Sequence, residues 1–238
     1  MKTITIRLIV LGTIALFLHP LNSMSNSVEE ANQYKEQFYM NYSYVSSRIL
    51  FNKNVKPGHF AIYKNQGESY LPFSGTIQLK LISIVNGIYH IELSYLIPKY
   101  QVGKQLIDLR INFYTDIDGF VQKSTLVDTK TNDVKKLNVL TNNDPPKDIP
   151  KFDSYKIKDI RIIKRYNKNA IQTPIGTFKV KTNIYCYDLN KRESYCSVQY
   201  TNDLAYFTYI KVVSFKLKNG SVVNETVSML LTDQGDAS

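Results

Sequence analysis

The chain has 238 residues, of which 43% are hydrophobic, and its formal net charge is +10 at pH 7. This length suits one large or two small domains, and it is enough to bury a hydrophobic core. It excludes a mini-protein that depends on disulfides or metals for its stability. The positive charge favours an anionic partner such as lipid headgroups or acidic polysaccharide. The alternative is that the lysines only solvate the outer faces of strands.

Residues 1–25 have the three parts of a secretory signal. Lys2 and Arg7 give a positive start, and residues 8–18 form an uncharged apolar run. Ser23 and Ser25 then offer small side chains at the spacing of a peptidase site. The run is much shorter than the ~20 residues of a membrane-spanning helix, although retention as an anchor is the alternative to cleavage. We therefore expect a secreted or cell-surface protein, and export argues against nucleic acid as the partner of the basic charge.

A helix pattern follows the signal at residues 27–40. Ser27 and Glu30 fit a capping box, in which each side chain satisfies a free amide at the helix start. We expect a short N-terminal helix that serves as a packed lid or as an arm.

From residue 42 onward, apolar residues mostly recur at every second position, which predicts antiparallel strands packed on one face. Asn86-Gly87 and Asn219-Gly220 predict type I′ hairpin turns, because both central residues of such turns need positive φ. The predicted fold class is mainly β: a curved antiparallel sheet, either a half-barrel or a β-sandwich, with the short N-terminal helix.

The same alternation gives two finer expectations. We interpret the Ile-rich segment 159–166 as a strand. In the last hairpin, the apolar residues of segments 213–217 and 223–231 are predicted to share one inner face.

Residues 141–154 interrupt the strand pattern with Pro, Asn and Asp, which do not easily form a regular element. We interpret this segment as a linker or a long loop between two β-rich parts, residues 26–140 and residues 155–238. The two parts form either separate domains or one domain.

Cys186 and Cys196 are the only cysteines. If the loop between their strands is centred near Lys191, they lie opposite one another at a distance that allows a disulfide. Export makes the oxidation possible, so we predict a structural disulfide, with two buried thiols as the alternative.

Three Asn-x-Ser/Thr sequons begin at Asn41, Asn219 and Asn224. Each is predicted in a position that could present a glycan to solvent. They are candidate glycosylation sites in an archaeal or eukaryotic surface protein, and would stay bare in most bacteria.

Catalytic patterns are poor in this sequence. His59 and His90 are isolated, and the metal-binding spacings of His and Cys are missing, as are Gly-rich phosphate loops and nucleophile motifs. Asp116 and Asp118 indicate turn chemistry, with a weak calcium site as the alternative. We therefore expect a protein that is not an enzyme and has no cofactor, no metal and no catalytic residues, while its ligand-binding residues are unknown.

Three short motifs resemble those of the LolA-like half-barrel group of prokaryotic envelope proteins. They are residues 55–63 (Val-Lys-Pro-Gly-His-Phe-Ala-Ile-Tyr), 173–178 (Thr-Pro-Ile-Gly-Thr-Phe) and 204–207 (Leu-Ala-Tyr-Phe). The resemblance implies a curved sheet around an apolar groove for a lipid or an acyl chain, or a purely structural module. The long middle segment and the sequons depart from the group.

Three functions are consistent with these features of the sequence. The first is a secreted or cell-surface, non-catalytic β-rich protein that binds a hydrophobic or envelope ligand, with a lipid and an anionic envelope surface as the expected partners. The second is a structural surface or filament subunit, a homo-oligomer that assembles through its N-terminal arm. The third is a secreted hydrolase, which ranks last because the sequence offers neither a nucleophile nor a metal set.

Overall fold

The structure is a computed structural model, and it describes most of the chain after residue 47 together with two short pieces before it. The described residues are 35–36, 44–45, 48–64, 76–95, 100–102, 105–139, 160–190 and 193–237. The predicted segments 1–25 and 141–154 lie outside these ranges. Of the predicted helix at residues 27–40, only Lys35 and Glu36 are described, so the structure does not support that helix.

The described part of the chain consists mainly of β-strands, with one short helix named α1 (Ile160–Tyr166). The strands are β1 (Tyr44–Val45), β2 (His59–Lys64), β3 (Thr76–Val85), β4 (Ile88–Tyr95), β5 (Tyr100–Val102), β6 (Gln105–Ile107), β7 (Leu109–Thr115), β8 (Val121–Asp128), β9 (Asp133–Val139), β10 (Ala170–Thr173), β11 (Gly176–Lys179), β12 (Lys181–Asn190), β13 (Glu193–Thr201), β14 (Tyr209–Lys218) and β15 (Ser221–Asp236).

Eleven of these strands form one open sheet in the order β1-β9-β8-β7-β4-β3-β2-β15-β14-β13-β12. The pairs are antiparallel except for β1 with β9, which is parallel. Two small hairpins, β5–β6 and β10–β11, lie outside this sheet. The prediction of a mainly β protein with an antiparallel sheet is confirmed.

The long strand β15 joins the two predicted parts of the chain. Its residues up to Leu230 pair with β14, and its residues from Leu230 to Asp236 pair with β2. Strands from both parts, eleven in all, therefore belong to one continuous sheet.

Both Asn-Gly turns have the predicted backbone. Asn86 and Gly87 have φ values of 51° and 75°, and Asn219 and Gly220 have φ values of 49° and 77°. Two successive positive φ angles are the mark of a type I′ turn, so the prediction of these hairpins is confirmed.

The interpretation of segment 159–166 as a strand is wrong, since residues 160–166 form α1. Ile162 and Tyr166, four residues apart, are buried on the side facing the sheet, whereas Arg161, Lys164 and Arg165 are exposed. In a segment of only seven residues, a strand pattern and a helix pattern place apolar residues at similar positions. Periodicity alone could therefore not distinguish a strand from a helix here.

A first core covers the inner face of the sheet formed by β2, β3, β4, β7 and β8. Where the structure describes it, this face is filled by the protein's own chain. Residues 48–55 cross it, and Ile49 N donates to Gly119 O at 2.9 Å and Asn52 N to Tyr206 O at 2.9 Å. The buried Tyr63 hydroxyl donates to Phe207 O at 3.1 Å. The fully buried members include Ile49, Tyr63, Leu79, Leu81, Ile91, Phe207, Ile210 and Leu231.

A second core lies between α1 and strands β12 to β15. Its buried members are Ile162, Tyr166, Cys186, Cys196, Val198, Tyr200, Val213, Phe215 and Leu217. The expectation that the last hairpin has one inner face is wrong, because Val213 belongs to this core while Met229 belongs to the first. Register shifts between β14 and β15, one of them at the left-handed Asn224 (φ 52°), move side chains from one face to the other.

Candidate functional site

Two neighbouring hairpin turns form one end of the sheet. The β3–β4 turn contains Asn86 and Gly87, and residues 116–120 connect β7 to β8. Tyr89 of β4 pairs with Thr115 of β7, so the two turns lie side by side.

This end of the sheet carries a group of exposed apolar side chains, which we call the hairpin end. The side chain of Val85 is the most exposed of them, at 61%. Monomeric proteins rarely leave large contiguous apolar patches uncovered, and such patches often mark sites of interaction. Its members are Ile82, Ile84, Val85, Ile88, Ile117 and Phe120.

The register of β3 explains why these side chains are exposed. The β2 segment ends its contact with β3 where Gly58 N donates to Leu81 O at 2.9 Å. Ile82 is an extra residue between the pairs formed by Leu81 and Ser83, and β3 continues to Val85 without a described neighbour on the β2 side. The tip of the hairpin therefore projects beyond the core.

Cationic side chains surround the second turn of the hairpin end. The Arg48 guanidinium lies 4.9 Å from the centre of the Phe120 ring, and its Nε donates to Asp118 O at 3.0 Å. Lys53 Nζ donates to Asp118 Oδ1 at 3.0 Å. Lys123 Nζ lies 5.3 Å from the centre of the Tyr114 ring. Apolar side chains beside cations are the combination that suits an interface of lipid tails with anionic headgroups.

The turn itself is held by Asp116. Its Oδ1 accepts hydrogen bonds from the backbone N–H of Asp118 at 3.0 Å and of Phe120 at 2.9 Å. Asp116 is thereby committed to turn chemistry. In the described part of the chain, no cluster of three or more His, Cys, Asp or Glu side chains has the geometry to hold a metal ion.

An ion-pair network lies on the polar face of β4 and β7, opposite the face that packs on the first core. Arg110 Nη1 donates to the two carboxylate oxygens of Glu92 at 3.0 and 3.1 Å, and Arg110 Nη2 donates to Asp108 Oδ2 at 3.2 Å. Thr129 Oγ1 donates to Asp108 Oδ2 at 2.7 Å. Burial alone would raise the pKa of Asp108, but the bonds from Thr129 and Arg110 outweigh it and hold that pKa below its usual range. This network joins strands, and its carboxylates are already paired.

Both described histidines are engaged by neighbouring side chains. His90 stacks on Tyr114 with 4.7 Å between ring centres, and its Nε2 lies 2.9 Å from Asn112 Oδ1. His59 stacks on Tyr206 at 4.0 Å, and its Nδ1 accepts a hydrogen bond from Lys56 N at 3.1 Å.

Cys186 and Cys196 are joined by a disulfide, with their Cα atoms 4.2 Å apart. They face each other directly in the register of β12 and β13 and lie buried in the second core. This site lies in the second core and not at the hairpin end.

The candidate glycosylation sites are scattered. Asn219 is exposed in the turn between β14 and β15, and Asn224 is exposed at a register shift of β15. Asn41 lies outside the described residues.

The hairpin end was not identified from the sequence, although a signal for it exists. Residues 81–89 contain no charged residue and place apolar side chains at both odd and even positions. A strand with one solvated face alternates, so the loss of alternation near a turn indicates apolar side chains on both faces.

Neither the helix α1 nor any other helix among the described residues is long and apolar enough to cross a membrane. Comparisons of the chain with models of protein families, with curated protein sequences and with solved structures gave no match.

Proposed function

We propose that this chain is a secreted or cell-surface, non-catalytic β-rich protein that binds an apolar ligand of the cell envelope at its hairpin end. The proposed ligand class is a lipid surface with anionic headgroups. The proposal includes export through residues 1–25 and a curved half-barrel sheet of the kind that the resemblance to the LolA-like group implies. The described inner face of the sheet is filled, so we assign the ligand to the hairpin end instead of a groove.

The observation that carries the proposal is the clustering of six exposed apolar side chains at two adjacent turns. Burial of these side chains in a lipid interface is favoured by about 25 cal/mol for each Å² removed from water. Arg48, Lys53 and Lys123 are placed to meet anionic headgroups. The net charge of +10, which becomes +8 when Lys2 and Arg7 of the signal are removed (10 − 2), would draw the whole chain to such a surface.

Two features support the extracytoplasmic location. The signal pattern of residues 1–25 is one, and the Cys186–Cys196 disulfide is the other, since disulfides persist mainly in oxidising compartments. Glycans at Asn219 and Asn224 belong to the same proposal, because both side chains are exposed.

Vesicle binding tests the proposed function with a matched pair of substitutions. Val85 at the hairpin end and Val134 at the opposite end of the sheet are 61% and 62% exposed. We expect Val85→Asp to weaken binding to vesicles of phosphatidylcholine and phosphatidylglycerol at least about fivefold, because it removes about 1 kcal/mol of apolar burial and adds an anion. Val134→Asp should bind like the unchanged protein.

Sedimentation of protein with vesicles measures the effect, and thermal unfolding checks that both variants stay folded. The unchanged protein should bind less to vesicles of phosphatidylcholine alone. The proposal fails if the unchanged protein does not bind either vesicle, or if the two substitutions weaken binding equally.

A further inference from the structure

The turn between β13 and β14 presents a leucine to solvent. The side chain of Leu204 is 82% exposed, more than any other large apolar side chain in the described part of the chain. A single exposed leucine is ordinary on a protein surface, so its meaning depends on what holds it and what surrounds it.

Hydrogen bonds fix the backbone of this turn on the N-terminal side of Leu204. The Asn202 side chain accepts a hydrogen bond from Leu204 N at 2.7 Å and donates one to Lys179 O. The Asn52 side chain donates to Asp203 O. The turn therefore has a defined conformation in which the leucine meets solvent.

The direction of the strands places this turn at the same end of the sheet as the hairpin end. The strands in the order β7-β4-β3-β2-β15-β14-β13 are paired antiparallel, so their directions alternate. Strands β3, β7 and β13 therefore point the same way, and the turns that follow them lie at one end of the sheet.

Residues 48–55, which we call the crossing segment, connect this turn directly to the hairpin end. Ile49 N donates to Gly119 O at 2.9 Å, and Asn52 N donates to Tyr206 O at 2.9 Å. Three residues of chain span at most about 11 Å, so the β7–β8 turn and the β13–β14 turn are close neighbours.

Three exposed lysines lie beside the β13–β14 turn. Lys181 pairs with Asp203 of the turn, and its side chain is 73% exposed. Lys179 precedes Lys181 by two residues, and Lys168 O accepts a hydrogen bond from Thr182 Oγ1 at 3.2 Å. An apolar side chain among cations is the same combination as at the hairpin end, and it suits an interface of lipid tails with anionic headgroups.

We propose that the β13–β14 turn is a second contact with the anionic lipid surface, in which Leu204 enters the interface and Lys168, Lys179 and Lys181 meet the headgroups. The inference rests on the proposed function and adds an orientation to it. This end of the sheet meets the membrane through two apolar tips, with the crossing segment between them.

A membrane fits this arrangement better than a protein partner does. A stable protein interface buries at least about 1,000 Å² in a continuous, complementary contact. Two separate tips with lysines around them offer no such area, whereas a bilayer receives each apolar side chain independently. The positive charge beside Leu204 complements anionic headgroups.

Tryptophan fluorescence tests each tip separately, because the chain contains no tryptophan. The single variants are Leu204→Trp, Val85→Trp at the hairpin end, and Val134→Trp at the opposite end of the sheet as the control. With vesicles of phosphatidylcholine and phosphatidylglycerol, the emission of the first two should shift to shorter wavelengths. Lipids brominated on their acyl chains should quench both, and Val134→Trp should stay unchanged.

The outcomes separate this inference from the proposed function. A shift for Val85→Trp without one for Leu204→Trp would overturn the second contact and leave the hairpin end as the site. A shift for Leu204→Trp alone would support this contact and refute the hairpin end. If neither emission shifts, or if Val134→Trp shifts equally, both proposals are wrong.

Vesicle sedimentation tests the lysines with a pair of substitutions that change the net charge equally. Lys179→Glu should weaken binding at least about fivefold more than Lys136→Glu, whose side chain is exposed on β9. Leu204→Asp should also weaken binding at least about fivefold, and thermal unfolding checks that all three variants stay folded. Equal weakening by the two lysine substitutions would contradict the placement of Lys179 at the interface.

Discussion

Gly119 and Gly87 show how similar turn residues can differ in importance. Both have left-handed backbones, with φ values of 83° and 75°. A Cβ atom added to Gly87 would have no neighbour within 4 Å, whereas one added to Gly119 would lie 2.0 Å from Ile49 O. That oxygen belongs to the segment that crosses the first core, and Gly119 O accepts the hydrogen bond from Ile49 N.

We therefore expect Gly119→Ala to destabilise the protein more than Gly87→Ala. The left-handed conformation costs alanine about 1–2 kcal/mol in either place. At Gly119 the displaced backbone of Ile49 adds about 1–3 kcal/mol, as overpacking does elsewhere. Urea unfolding measures both free energies, and equal losses would show that residues 48–55 do not pack against this turn.

The sequence reveals the turn at Gly119 but not its contact. Asp118-Gly119 between two alternating segments is a turn signal that any local reading detects. The approach of Ile49 depends on a segment distant in sequence, and no local pattern encodes it. Cys186 and Cys196 are the contrasting case. Their pairing was predictable because a short connection in the sequence fixes the register of their two strands.

At the scale of elements, α1 is a helix that depends on its surroundings. Seven residues are too few for a stable isolated helix, so packing must hold it in place. The Tyr166 ring stacks on Phe215 with 4.6 Å between ring centres, and its hydroxyl donates to Glu225 Oε2 at 2.6 Å. Tyr200 donates to the backbone oxygen of Tyr166 at 2.8 Å. Its local sequence alternates like a strand, and these distant partners select the helix.

Tyr166→Phe tests how α1 is held. Loss of a hydrogen bond to a charged acceptor should cost about 1.5–3 kcal/mol and loosen α1, which faster amide exchange at residues 161–166 would report. The matched control is Tyr206→Phe, whose ring stacks on His59 in the first core. Similar exchange of α1 in both variants would mean that the bond to Glu225 does not secure the helix.

Alkaline pH should act on the same contact. Burial, and then the hydrogen bond to Glu225, raise the pKa of Tyr166 well above its ordinary value. A group with a raised folded pKa contributes its full stabilisation below the unfolded pKa of about 10 and loses it as the pH rises further. Amide exchange of α1 should therefore accelerate above about pH 10 in the unchanged protein, and it should accelerate less in Tyr166→Phe.

At the scale of the whole molecule, β15 decides whether the two cores behave as one unit. Alternation predicted most of the strands, but the order of strands in the sheet follows from pairings between distant segments, such as β15 with β2. Exposure at the hairpin end likewise depends on where β2 stops beside β3. The order of the strands has no local signal. Residues 81–89 do signal apolar side chains on both faces, but not that β2 stops short of them, which is why the candidate site was not found from the sequence.

Because β15 pairs with β14 over one core and with β2 over the other, loss of order in one core should spread to the second. The double variant Cys186→Ala with Cys196→Ala removes a cross-link between residues ten apart in sequence. We expect it to lower the free energy of unfolding by about 2–3 kcal/mol, since the unfolded chain gains entropy. Although the cross-link lies in the second core, the midpoint of urea unfolding should fall equally for Ile91 in the first core and Val198 in the second. Amide exchange during unfolding reads both positions, and a midpoint that shifts for Val198 alone would mean that β15 connects two units that unfold independently.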